Sequence, residues 1–333
     1  MATPLAQPAT MQRGSLFRSN ATQMLLAFAG LIVLFVVFSL ASPIFFTFSN
    51  VSSILLATAV NGVLALGVTF IIITGGIDLS VGTVMTLSAV MTGLVITNWG
   101  LPIPLGVLAG LATGAFVGLI NGVTIAKMKI PPFIATLGTM MIARGLSLVL
   151  SGVKPIYFND TPAFGQIAMG SLVGAFLPDF ALPNAVVILF AAAIVAGIIL
   201  TKTILGRYDV ALGSNEEATR LSGVNVDAWK MAIYALGGTF SGLAGVLIAS
   251  RLNSAQPALG AGYELDAIAA VVIGGTSLSG GEGTILGTII GAFIISTLTN
   301  GLRILSVPQE WQMVVTGAIV ILAVYADIIR RRK

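Results

Sequence analysis

TKTILGRYDVALGSNEEATRLSGVNVDAWK, Thr201–Lys230, carries eight charged residues in a chain that has only 16 basic and 12 acidic ones. Within it lies the grammar of one short helix. Ser214 and Glu217 stand at Ser-x-x-Glu spacing, which predicts a capping box in which hydroxyl and carboxylate each accept from a free backbone N–H. Glu216 and Glu217 occupy the first turn, where negative charge suits the helix dipole. Gly223 is placed to enter the left-handed region and stop the helix. Ala218, Leu221 and Val224 recur at three-residue steps and form a small apolar face. A helix of about eight residues is below the length that is even marginal alone in water, so something must hold it. The obvious candidate is a groove on another protein, and the stretch reads as a docking peg.

The rest of the chain explains why the peg stands out. Of 333 residues, 56% are apolar and 8% charged, against about a quarter charged in an ordinary globular domain. Apolar runs of about 20 residues recur, the length needed to cross a hydrocarbon core as helix. The 39 glycines suit membrane helices, whose backbones approach closely through small residues. A net charge of +4 therefore gives no reason to expect nucleic acid; what matters is where the basic residues lie. The absence of Cys excludes disulfides and thiol chemistry.

In chain order, residues 1–23 form a polar tail with Arg13 and Arg18, followed by the apolar run Met24–Ala41. Ser39-Leu40-Ala41 resembles a signal cleavage site, but the run is long for a signal peptide, so an uncleaved first span is expected. Further spans are expected at Val51–Thr74, Val81–Thr97, Pro104–Ala126, Phe133–Leu150, Asn184–Leu200, Met231–Ser250, Thr284–Leu305 and Glu310–Ile329. Asp266–Ser279 is counted as an eighth, irregular crossing between Ser250 and Thr284; as a re-entrant hairpin instead it would put the basic tail outside. The expectation is an all-α integral membrane protein of about ten transmembrane helices: a single transmembrane domain over residues 24–329, with 201–230 as a loop and 330–333 as a basic tail. With ten crossings and a cytoplasmic start, twelve of the 16 basic residues lie inside, including Lys127, Lys129, Lys202, Arg207, Arg220, Lys230 and the tail. Both termini and the peg then face the cytosol. Arg144 and Arg303 are expected to snorkel at outer helix ends, and Trp99, Trp229 and Trp311 to anchor at interfaces.

Gly75-Gly76-Ile77-Asp78-Leu79-Ser80-Val81-Gly82 echoes Gly274-Gly275-Thr276-Ser277-Leu278-Ser279-Gly280-Gly281 at five of eight positions. Breaks of this kind in corresponding halves point to a transport path, with Ser80 and Ser277 beside it; chance in a chain rich in Gly and Ser is the other reading. Asp78 either lines such a path or caps the helix Leu79–Thr97. Asn61, Asn121 and Asn300 either meet a polar cargo or hydrogen-bond between helices. Leu278-Ser279-Gly280-Gly281-Glu282 looks like an ATPase signature, yet no glycine in the chain is followed by lysine, so no phosphate-cradling loop accompanies it. With no His or Cys and the carboxylates scattered, no metal cluster or nucleophile–base pair can be assembled, and catalysis is not expected. A secondary, ion-coupled transporter and a passive channel remain as rival classes.

Glu217-Ala218-Thr219-x-x-x-Gly223 is similar to the Glu-Ala-Ala-x-x-x-Gly cytoplasmic loop of permease subunits in bacterial ATP-binding cassette importers, with Thr219 in place of the usual alanine. The whole chain resembles the monosaccharide branch of that family, the ribose permeases in particular. The matching stretches are Gly75–Gly82, Thr136-Leu137-Gly138-Thr139, Gly206-Arg207-Tyr208 through Ser222-Gly223, and Val272–Leu278. The resemblance implies a type II importer permease of the inner membrane that moves ribose or a related sugar. It implies as partners a second copy of the chain, a cytoplasmic ATPase that holds the ATP and Mg, a periplasmic sugar-binding protein and membrane lipid, with no cofactor on this chain. It also implies that Ser214, Asn215, Glu216, Glu217, Ala218, Arg220, Leu221 and Gly223 form a coupling helix seated on the ATPase.

Overall fold

The computed structural model describes residues 20–176 and 182–332, so the tail ending before Asn20, with Arg13 and Arg18, and Lys333 lie outside the described residues. Among the described residues thirteen helices follow one another: α1 (Asn20–Ala41), α2 (Phe48–Ile73), α3 (Val81–Gly93), α4 (Ile103–Ala126), α5 (Pro132–Ser151), α6 (Pro162–Met169), α7 (Asn184–Lys202), α8 (Ile204–Ser214), α9 (Glu216–Leu221), α10 (Val226–Leu252), α11 (Tyr263–Ile273), α12 (Ile285–Ile304) and α13 (Gln309–Arg332). Helix α3 continues into one π turn, Leu94–Asn98. Two-residue strands β1 (Ile156–Tyr157) and β2 (Ser254–Ala255) pair antiparallel beside that turn. The local signals are ordinary ones. Thr47 Oγ1 accepts from the Asn50 amide to start α2. Pro131-Pro132 opens α5, a place where proline costs no hydrogen bond. Gly152 closes it in the left-handed conformation that glycine enters freely.

The centre of the bundle is α2, whose residues from Leu64 to Ile73 are all buried. It is ringed by α7, α10, α11 and α12, and Thr69 Oγ1 meets Thr288 Oγ1 of α12 at 2.7 Å. The outward faces of α1, α4, α5 and α7 carry exposed Leu26, Phe116, Met141 and Ile194, the inverse of a water-soluble surface. Eight helices of the described residues are long and apolar enough to cross a membrane.

The tightest contact joins α4 to α10. Gly106, Gly110, Gly114, Gly118 and Gly122 follow at every fourth position of α4 and bury one edge of it. A side chain at Gly114 would run into the backbone of Gly238 and Gly242, and one at Gly118 into the Tyr234 carbonyl. Backbone therefore lies on backbone along this seam, the arrangement small residues permit in membranes.

The irregular crossing lies earlier in the chain than Asp266–Ser279. Helix α11 has 11 residues. That is about 16 Å of helix, roughly half a hydrocarbon core. The missing half precedes it. Ala255 packs beside Gly93 at one end of α3, while Gly260 lies against Gly82 at the other. Beyond α11, the Gly281 amide donates to the Ile73 carbonyl at the end of α2. Residues 254–273 thus travel from one end of the bundle to the other, extended first and helical second, because Pro257, Gly260 and Gly262 interrupt helix there. With this passage and α13, the chain makes ten traverses, and α1 begins at the end where α13 finishes.

Candidate coupling site

The peg folds as two helices, α8 and α9, separated by Asn215 in an extended conformation (φ −162°, ψ 100°). Two expectations about it are corrected. The capping box does not form: Asn215 is the N-cap, its side-chain oxygen accepting from the Ala218 amide at 2.9 Å. Ser214 instead ends α8, its hydroxyl donating back to the Val210 carbonyl at 2.8 Å. Asn is as strong a cap as Ser, and a serine whose hydroxyl bonds four residues back is no longer available to cap. With its cap one residue later, α9 runs only from Glu216 to Leu221, six residues rather than about eight. Its stop signal forms as expected. Gly223 takes a positive φ, so that its own amide reaches the Arg220 carbonyl and the Val224 amide reaches the Thr219 carbonyl, a Schellman closure.

Six residues of helix need bracing, and α9 is braced on one side only. The Thr219 hydroxyl, buried, lies 3.0 Å from the Ala211 carbonyl of α8 and 2.8 Å from that of Asn215. Glu216 receives Lys230 of α10 at 2.6 Å and Arg220 at 3.3 Å. Arg220 also reaches Asp227, which Lys129 of the α4–α5 turn meets at 3.0 Å. Partial burial alone would raise the Glu216 carboxyl; the bonds from Lys230 and then Arg220 outweigh it and hold the group below its ordinary value. The opposite side of α9 is free: Glu217 and Ala218 are exposed, and Leu221 is 80% exposed. The proposed coupling residues therefore divide into a brace (Asn215, Glu216, Arg220) and a bare face (Glu217, Ala218, Leu221).

The brace ends on a three-way junction. Gly213, the penultimate residue of α8, lies on the Ile73 carbonyl and the Gly281 amide, and any side chain there would displace both. Gly280 packs on Gly213 and on the Gly75 amide. The two glycine-rich breaks thus touch each other and the root of the peg. They also end their helices alike. The Gly75 and Gly76 amides reach the Ile72 and Ile71 carbonyls, and those of Gly275 and Thr276 reach Val272 and Val271. The structural echo pairs Gly75 with Gly275, both at positive φ, one residue out of the register of the sequence echo, which pairs Gly75 with Gly274.

Of the six residues read as lining a path, three meet. Asp78 Oδ1 accepts from the Ser80 amide (2.7 Å) and hydroxyl (2.6 Å), while the Asn121 amide group donates to Asp78 Oδ2 (3.3 Å) and Ser80 Oγ (2.9 Å). Helix α3 starts at Val81 without a side-chain cap, so Asp78 does not cap a helix from Leu79; it holds the stretch of chain just before the helix. All three are buried. Ser277 is buried in the other break and accepts from the Ser279 amide. Asn300 binds Asn50 at 3.0 Å, and Asn61 Oδ1 is buried without a partner. Trp229 is corrected as well: half-buried, it packs on Tyr208 at 4.9 Å between ring centres, whereas Trp99 and Trp311 are exposed as anchors would be. Leu278–Glu282 forms a turn against α2, the Ser277 amide bonding the Glu282 carbonyl. Asp209 on α8 carries no signal in the sequence. It is fully buried, neither oxygen has a partner among the described residues, and burial pushes its carboxyl well up.

This arrangement, a ten-traverse bundle with one short braced helix held off its end, belongs with what comparison finds. The family described as branched-chain amino acid transport system / permease component matches residues 50–324. The chain belongs to that permease family. It is 43% identical to the ribose import permease of Escherichia coli (strain K12) over 302 residues, 89% of this chain and 91% of that protein. It is 45% identical to the ribose import permease of Bacillus subtilis (strain 168), covering 90% and 91%. It is 39% identical to the galactose/methyl galactoside import permease of Escherichia coli (strain K12), covering 89% and 91%. No solved structure matches the chain. As a member of the family it is a non-catalytic, multi-pass membrane transport subunit.

Proposed function

We propose that the chain is the membrane-spanning subunit of an ATP-driven importer for ribose or a closely related monosaccharide. In this reading it works as a pair of copies, with a cytoplasmic ATPase below and a periplasmic sugar-binding protein above. The observation that carries it is the bare face of α9: a six-residue helix braced on one side by Glu216 and Thr219 presents Glu217, Ala218 and Leu221 to a partner. The sugar is argued from the ribose permeases at 43% and 45% identity. The orientation is argued from charge, since Lys127, Lys129, Lys202, Arg207, Arg220 and Lys230 all lie at the end that holds α9. A reporter active only in the periplasm, fused after Lys333, should stay silent; strong activity there reverses the orientation.

The test of the function is uptake by vesicles containing the chain, the ATPase and sugar-loaded binding protein. D-ribose should enter only with ATP on the ATPase side, and a protonophore at clamped ATP should change nothing. The ion-coupled alternative rests on Asp78, since ionisable groups within membranes are functional by default. Yet Asp78 is closed in by Ser80 and Asn121. Asn121 Oδ1 has no partner, so after Asp78→Asn it can turn to accept the new amide hydrogens. Asp78→Asn should therefore keep uptake within about threefold of the parent, the loss of less than one hydrogen bond. Uptake that collapses with the protonophore and with Asp78→Asn makes the chain an ion-driven carrier instead.

A further inference from the structure

The traverse formed by residues 254–273 departs from the rule that spanning backbone satisfies itself. Between Gln256 and Gly262 the chain has no helix, and Ala258, Ala261 and Gly262 are exposed. Unwound backbone persists at membrane depth only against other protein or a water-filled cavity. Polar groups stand on both flanks of this segment. On one, Thr83 and Thr86 of α3 and Arg144 of α5 line a narrow cleft with Pro257 and Ala261. On the other is a cavity of about 410 Å³ with apolar walls that include Leu265, Met313 and Val320, into which Tyr263 and Asp266 of α11, Thr299 and Arg303 of α12, and Gln312 and Thr316 of α13 bring polar groups. It sits where α12 runs into α13, the end opposite α9.

The cavity's chemistry is unusual for a lipid-facing groove. An acid and a guanidinium line it together, yet among the described residues Asp266 and Arg303 form no ion pair. Charges left unpaired against lipid are costly, so a hydrated space is the setting in which they persist. The volume falls within the roughly 300–1,000 Å³ of small-molecule sites. We infer that this cavity is the outer sugar-holding station of the translocation path, taking the hydroxyls of a monosaccharide between Asp266 and Arg303 with the Tyr263 ring beside it. The carboxylate accepts from sugar hydroxyls, the guanidinium donates to hydroxyl and ring oxygens, and the unwound segment supplies backbone groups that a helix would have consumed. Arg303 then binds cargo rather than snorkelling. The inference rests on the importer reading and adds to it the residues that meet the sugar.

Two measurements on the complete complex test it. Asp266→Asn and Arg303→Gln should each lower the D-ribose moved per ATP hydrolysed by about tenfold, as expected when a charged hydrogen-bonding partner is lost. Since either change can also disturb folding, a thiol is placed separately in this cysteine-free chain. Thr316→Cys should react with a small hydrophilic thiol reagent, and D-ribose should slow that reaction about tenfold by occupying the cavity. Val314→Cys, whose parent side chain is exposed on the same helix, should react at one rate with and without the sugar. Equal labelling of Thr316→Cys with and without D-ribose overturns the assignment, as does parental coupling in both charge variants. A parent complex that takes up no D-ribose overturns the importer reading itself, and the station with it.

Discussion

Gly213→Ala is expected to leave the chain in the membrane and to abolish sugar uptake. One methyl group at this position would enter the space held by the Ile73 carbonyl and the Gly281 amide. Those two groups bond each other at 2.8 Å, tying the end of α2 to the break after α11. The methyl cannot be absorbed by a rotamer change, because all the atoms it meets are backbone. Overpacking costs about 1–3 kcal/mol and the parted hydrogen bond about 1 kcal/mol more, concentrated where α8 meets both breaks. The ATPase should still bind, since the bare face of α9 is untouched, and should hydrolyse ATP without moving sugar. Gly138→Ala and Gly145→Ala serve as controls: nothing lies within 4 Å of the added carbon at either site. Both should keep full uptake and gain a few tenths of a kcal/mol of helix stability. Parental uptake by Gly213→Ala would remove the junction from the mechanism.

Glu217→Lys should fail one step earlier, at association. Glu217 makes no side-chain ion pair among the described residues and is exposed on α9, the helix that also exposes Leu221. Reversing its charge opposes the dipole at the first turn by less than about 1 kcal/mol. The cap at Asn215 and the brace at Glu216 stay in place. Its effect should therefore appear at the partner: a change at the centre of a small interface commonly costs about 2 kcal/mol or more, roughly thirtyfold in affinity. Membrane insertion should be unaffected, while ATPase co-purification and uptake are lost together. Full uptake with unchanged co-purification would mean that α9 is not the docking element.

Much of the frame was legible because bilayers constrain sequence severely. Helices α7 and α12 end within a few residues of the limits of their apolar runs, and the breaks at Gly75 and Gly275 follow from glycines able to take positive φ. The irregular crossing was harder. Residues 254–262 are too mixed to read as a span, and only their packing along α3 from Gly93 to Gly82 reveals that they make half a traverse. Around α9, the start and stop chemistry was visible but its partition was not. Ser214 and Asn215 are both good caps, and which one acts depends on where α8 ends. The roles of Lys230, Asp227 and Lys129 depend on helices brought together from distant sequence. That Arg303 shares a cavity with Asp266 and Gln312 could not be read from the sequence, because the three stand on different helices.

The glycine seam between α4 and α10 has a mechanical consequence. Two helices in backbone contact from Gly110 to Gly122 cannot slide past each other without first lifting apart, so they turn together as one stiff stave. Helix α10, Val226–Leu252, is the longest of the thirteen. At the rise of an α-helix it measures about 40 Å from end to end. Its foot meets Glu216 of α9 through Lys230, and its head carries β2 and the unwound segment beyond it. A tilt of about 5° at the foot becomes a swing of about 3.5 Å at the head, comparable to the shifts by which packed helices switch state. With α9 as the docking element proposed above, such a lever would carry a small stroke from the ATP side to the far face.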